Sequence, residues 1–160
     1  MKPKATIKTN KWKELRTRLP KGSVLQVGVL AGAGNAAGGI SMIELAAIHE
    51  FGSPKNNIPQ RSFIRSTLGR AEIVQQFKQM TARFAKQIVD GKLTEAQALG
   101  LLGAWMASQV KMTIKKRMTT GPDPQALKPA TIARKKSDLP LVDTGRLINA
   151  ITWSVKMGKG

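Results

Sequence analysis

Two apolar stripes govern what this chain can fold into. Ile73, Phe77, Met80, Phe84 and Ile88 recur at steps of three and four residues, which aligns them along one side of an α-helix. Leu99, Leu102, Met106 and Val110 do the same. The first helix is expected from about Ser62. Gly69 weakens it by about 1 kcal/mol relative to alanine without ending it, and Asp90-Gly91 closes it. The second opens on a capping box, Thr94 with Gln97, and runs to about Met118. Its last turns, "KMTIKKRM", set four cations where the helix dipole favours them.

The segments around these helices have other periods. "SVLQVGVL" alternates Val24, Gln26 and Gly28 against Leu25, Val27 and Val29, and reads as a strand. "AGAGNAAGG" follows as a flexible loop over residues 31–39. "ISMIELAAIHEF" reads as a helix with Ser41 near its start and Gly52 as its stop. "SPKNNIPQ" is a loop, since two prolines and two asparagines cannot continue a helix. A turn-rich loop at residues 119–128 leads to a short basic helix, "ATIARKK", and then to a short helix capped by Thr144. A strand from Ile151 to Met157 ends the pattern. The expected fold is α+β: a small mixed or antiparallel sheet packed by two long helices. Residues 1–21 form a flexible basic arm with a short helix around Lys11 to Leu19, and residues 22–160 form a single domain.

Charge narrows the class of partner. Twenty-seven Lys and Arg face nine Asp and Glu, a net charge of +18 in 160 residues. Eight of the cations lie between Lys2 and Lys21, with Glu14 the only acid among them. Such a field attracts nucleic acid or acidic protein surfaces. Only four phenylalanines and three tryptophans are present, so no base-stacking platform is marked. Two readings stay open: a solvated basic face, or sequence-independent contact with phosphates or an acidic partner. There is no cysteine, hence no disulfide and no thiolate metal site. No apolar run reaches the roughly 20 residues that span a bilayer, and the N-terminus lacks the apolar core of a signal peptide. The expectation is a soluble protein without a membrane partner.

Three patterns invite a catalytic reading. "GAGNAAG" lies between a strand and a helix, but its spacing is G-x-G-x-x-x-G, and the acid that would hold a ribose falls at a helix end. "LVDTG", Leu141 to Gly145, looks like an aspartic-protease signature, yet that chemistry needs a second carboxylate and a larger β-fold. It is more simply a turn in which Asp143 or Thr144 caps a helix. His49-Glu50 holds the only histidine, with no second imidazole or thiolate to complete a zinc site. A histidine in the last turn of a helix has a structural use, donating to free carbonyls. No catalytic, cofactor or metal residue is assigned.

Two segments together carry a resemblance. "ELAAIHEFG" followed by "IPQRSFIR", and "LKPATIARKKSDLPLVDTGRLINAITWSV", resemble the bacteriophage virion-morphogenesis family, the tail-completion or neck proteins of Mu-like and related tailed phages. The residues that carry it are His49, Glu50, Phe51, Gly52, Ile58, Pro59, Arg61 and Phe63, then Leu141, Thr144, Gly145, Leu147 and Ile151. Ser62 stands where the family often has proline, and Ala150 where it often has serine. The resemblance implies a non-enzymatic virion protein, working as a homo-oligomeric ring such as a hexamer beside other neck, connector and tail proteins. It would sit in the tail or neck of the particle, after assembly in the host bacterial cytoplasm. The same ring could contact packaged DNA without sequence preference.

The corner itself carries narrower expectations. Phe63 should be buried, with Ile58-Pro59 setting the chain's entry into the long helix. Arg61 and Arg65, four apart, would share a helical face and serve an interface. Lys115, Lys116, Arg117, Arg134, Lys135 and Lys136 are the other candidates for interface or phosphate contact.

Overall fold

A computed structural model describes residues 22–36, 39–116 and 145–158. Strand β1 (Val24–Val29) is followed by helix α1 (Met42–Phe51), a 3-10 turn (Pro54–Asn56), short helix α2 (Ile64–Leu68), long helices α3 (Ala71–Val89) and α4 (Glu95–Lys115), short helix α5 (Arg146–Ala150) and strand β2 (Ile151–Lys156). The fold is α+β. The basic arm, the loop at 119–128 and the "ATIARKK" helix lie outside the described residues.

The two strands pair antiparallel, with Leu25 opposite Val155, Val27 opposite Trp153 and Val29 opposite Ile151. Because side chains alternate along a strand, these six form one apolar row. α4 lies on that row. A Cβ at Gly103 would stand 2.8 Å from Leu25 Cδ1 and 2.9 Å from Trp153 Cγ, so the missing side chain sets how closely helix and sheet approach. The other row sets Val24, Gln26 and Gly28 against Lys156, Ser154 and Thr152 and is mostly polar.

The core forms where α4 crosses the sheet end and the corner between α1 and α2. Ala46, Phe63, Ala107, Val110, Ile114, Leu147, Ile148 and Ile151 make one buried cluster. Phe63 is fully buried, as expected. Three of the caps also fall where expected, whereas the N-cap of α5 is Gly145 and not Thr144, with no side-chain cap bond. Ser41 Oγ accepts from the Glu44 N–H at 3.1 Å. Gly52, at φ 77°, ends α1, and Thr94 and Gln97 exchange both bonds of a capping box.

The helix expected to run on from Ser62 is a correction. The chain breaks at Gly69–Arg70 into α2 and α3, with Arg70 extended at φ −78°, ψ 119°. Gly69 is not the whole cause. Thr67 Oγ1 donates back to the Phe63 carbonyl at 2.7 Å, and Ser66 to that of Ser62, bonds that bend helices. Arg70 then reaches across to Thr113 Oγ1 of α4 at 3.0 Å. The break leaves α2 tied to the corner while α3 aligns its stripe with α4. α4 ends at Lys115, short of the expected Met118.

Candidate functional site: a corner built on one carboxylate

The corner starts from two helix ends that need hydrogen-bond partners. α1 stops at Gly52, whose N–H donates to the Ile48 carbonyl at 2.7 Å. A tight loop follows, closed by paired backbone bonds between Ser53 and Ile58 and turned by Asn57 in the left-handed region. The chain then runs back along α1, and the Arg61 N–H donates to the His49 carbonyl at 2.8 Å. α2 begins with Phe63 as its N-cap, a residue with no side-chain acceptor to offer.

Glu50 supplies what Phe63 lacks. Its Oε2 accepts from the N–H groups of Phe63 at 2.8 Å and Ile64 at 2.9 Å. Its Oε1 accepts from Ser62 Oγ at 2.6 Å, and from the Arg65 N–H and Nε, both at 3.1 Å. One carboxylate at the end of α1 thus caps α2 in trans. The Glu50 carbonyl takes two more bonds, from Gln60 Nε2 at 3.1 Å and Arg65 Nη2 at 2.8 Å. Glu50 is buried. Burial pushes its carboxyl up, but the Ser62 hydroxyl and the N–H groups of Ile64, Arg65 and Phe63 outweigh burial. Together they hold it below its ordinary value.

This arrangement decides what the corner can do chemically. A general base needs a free lone pair aimed at a substrate. Glu50 spends its lone pairs on its own chain. Among the described residues no group of three or more His, Asp or Glu could hold a metal ion. Two neighbours of Glu50 can be placed as well. Gly52 must lack a side chain, since a Cβ there would lie 2.9 Å from the Gln60 nitrogen. Phe51 stands exposed with the Arg65 guanidinium 4.9 Å above its ring.

The two motif segments meet. Phe63 of the first and Leu147 of the second share the buried cluster, and Gly145, at φ 71°, starts α5. Leu141 and Thr144 lie outside the described residues, as do Arg117, Arg134, Lys135 and Lys136. Lys115 and Lys116 are exposed at the end of α4. Arg61 and Arg65 do not share a helical face, because α2 starts only at Ile64. Arg61 is half-buried in the extended approach, and the Arg65 fork is tied to Glu50.

Sequence reasoning missed three contributors. Ser62 and its neighbours' N–H groups carried no signal that a glutamate twelve to fifteen residues upstream would bind them. The buried Thr67–Thr113 bond, 2.6 Å between hydroxyls, links α2 to α4 and was equally silent. Gly103 stood inside a helical pattern, the one place where a glycine hints at close packing. The glycine-rich loop after β1 is bonded to itself, through Ala36 N to Ile40 O and Met42 N to Gly34 O. With Arg146, Asn149 and Thr152 it lines an open cleft of about 490 Å³.

Comparison with protein-family models, with curated proteins and with solved structures found no match. No helix among the described residues is long and apolar enough to cross a membrane.

Proposed function

We propose that this chain is a non-enzymatic virion component that completes a phage tail or joins it to the head as part of a ring-shaped neck. The observation that carries this reading is the use of Glu50. The stretch most suggestive of chemistry, "IHEFG…IPQRSFIR", spends its carboxylate on holding two helix ends together. Support also comes from the meeting of the two motif segments around Phe63 and Leu147, as segments of one family fold would meet. A ring subunit needs rigid corners, and Glu50, Phe63 and Leu147 are buried in one. Its neighbours would be further copies of itself and other neck, connector and tail proteins.

Assembly with and without the chain tests the proposal. Particles made in its absence should accumulate as separate heads and tails, and adding the purified chain should restore joining. Normal joined particles in its absence overturn the reading.

One observation favours a second reading, a basic protein that coats nucleic acid. Lys78, Arg83 and Lys86 are exposed on α3, and Lys115 and Lys116 end α4. Under that reading the free chain binds duplex DNA at physiological salt, and its affinity falls steeply and linearly on a logarithmic salt scale. Under the ring reading, binding to particle parts survives where DNA binding does not.

A further inference from the structure

We propose that the exposed flank of α4, together with the edge of β2 that is open among the described residues, is a contact surface for a second copy of this chain, whose β1 edge adds to β2 head to tail. The inference rests on the ring reading for its setting and deepens it by naming the contact.

The helix supplies the first argument. From Ala96 to Val110 α4 has no charged residue, in a chain that is 22% charged. Yet Leu101 is 50% exposed and Met112 39%, and Ala104 and Ser108 between them are exposed as well. Steps of three and four place these residues in one stripe. A helix facing water normally carries polar and charged side chains opposite its buried side. α3 does so, with Glu72, Lys78, Arg83 and Lys86 exposed. α4 does not.

The stripe lies beside β2. Around the helix, at 100° per residue, Gly100 falls between Gly103 and Ala104. Trp153 of β2 reaches the Cβ positions of both Gly100 and Gly103, whereas Leu25 of β1 reaches only Gly103. β2 therefore occupies the side of α4 on which the stripe begins. Among the described residues β2 has β1 as its one neighbour, and β1 has only β2. Neither edge is guarded in the usual way: β1 has no charge and no proline, and β2 has Lys156 alone, at its end.

Charge and pairing select the occupant. Copies carrying +18 repel each other, so close approach is least opposed where cations are missing. The two strands already pair within one chain, and the same pairing between chains keeps each apolar row facing α4, provided the register shifts by even steps. A two-fold contact would use one edge twice and leave the other open. Head-to-tail pairing uses both edges, and such heterologous contacts give a ring when the rotation between copies closes and an open filament when it does not. Each copy adds two strands, an advance of roughly 9.5 Å, which suits the 8–10 Å at which helices pack. The stripe would then meet the helices of the next copy.

The chain has no cysteine, so single introduced thiols report contacts directly. Gln26→Cys would be prepared in one batch of full-length protein, and Ser154→Cys, Thr152→Cys and Lys156→Cys in others, covering the three nearest even registers. Mild oxidation of Gln26→Cys mixed with one of the three should give a disulfide-linked dimer, and each variant alone should give none. Dimers from Gln26→Cys alone, or from no mixture, overturn the proposal. Sedimentation of the wild-type chain should show concentration-dependent assembly, at least tenfold weaker in Leu101→Lys/Ala104→Lys with an unchanged melting temperature. A chain that stays monomeric, or assembly indifferent to the double variant, overturns it too. Rings in particles joined through other surfaces would sink this inference and leave the ring reading standing. Self-assembly as described, by a chain missing from particles, would do the reverse.

Discussion

Glu50 cannot serve a substrate without first letting go of its own chain. Its lowered pKa makes that statement measurable. A group whose folded pKa lies below its unfolded one, near the ordinary 4.5, adds stability above the unfolded value and loses it as pH falls through the folded one. Urea midpoints should therefore drop as pH falls below about 4.5. Glu50→Gln should cost about 1–3 kcal/mol at neutral pH, because buried donors lose their acceptor, and should flatten that acid decline. An unchanged decline would place its origin elsewhere. Phe63→Ala should cost about 3–5 kcal/mol by the same measurement, and a loss below about 1 kcal/mol would mean that the ring is not a core element. At this scale the local devices were legible: Ser41, Gly52, Thr94 with Gln97, and Phe63 behind Ile58-Pro59. The partners of Glu50 were not, because nothing in a sequence pairs a carboxylate with N–H groups thirteen residues on. For the same reason Arg65 read as a free cation.

At the scale of elements, glycine positions separate packing from propensity. Gly103→Ala should destabilise by about 1–3 kcal/mol, since its Cβ meets Leu25 and Trp153 inside normal contact. Gly100→Ala meets only the Trp153 ring, at 3.4 and 3.7 Å, and gains helix propensity, so it should be neutral or stabilising by up to about 1 kcal/mol. Equal effects in thermal melts would contradict the close approach of α4 to the sheet. The apolar periods of α3 and α4 were plain in the sequence because burial imposes them directly. The break at Gly69–Arg70 was not, since a single glycine costs a helix little. What ends α2 is a set of side-chain bonds, local ones from Ser66 and Thr67 and tertiary ones from Thr67 and Arg70 to Thr113. These are polar residues whose partners lie a turn back or more than forty positions away.

For the whole molecule, the alternation of β1 and β2 and the two long stripes were enough to reach an α+β fold. They did not show that α4 leaves an uncharged flank in water, which depends on where α3 and the sheet stop covering it. On the proposed reading, that flank, the strand edges left unpaired among the described residues and the structural use of Glu50 suit a part that assembles. The most direct measurement is an electron-microscopy reconstruction of the head–tail junction of intact particles. The account predicts a ring of copies of this fold at that junction, with the Glu50 corner intact in each. A junction wholly built from other chains would contradict it.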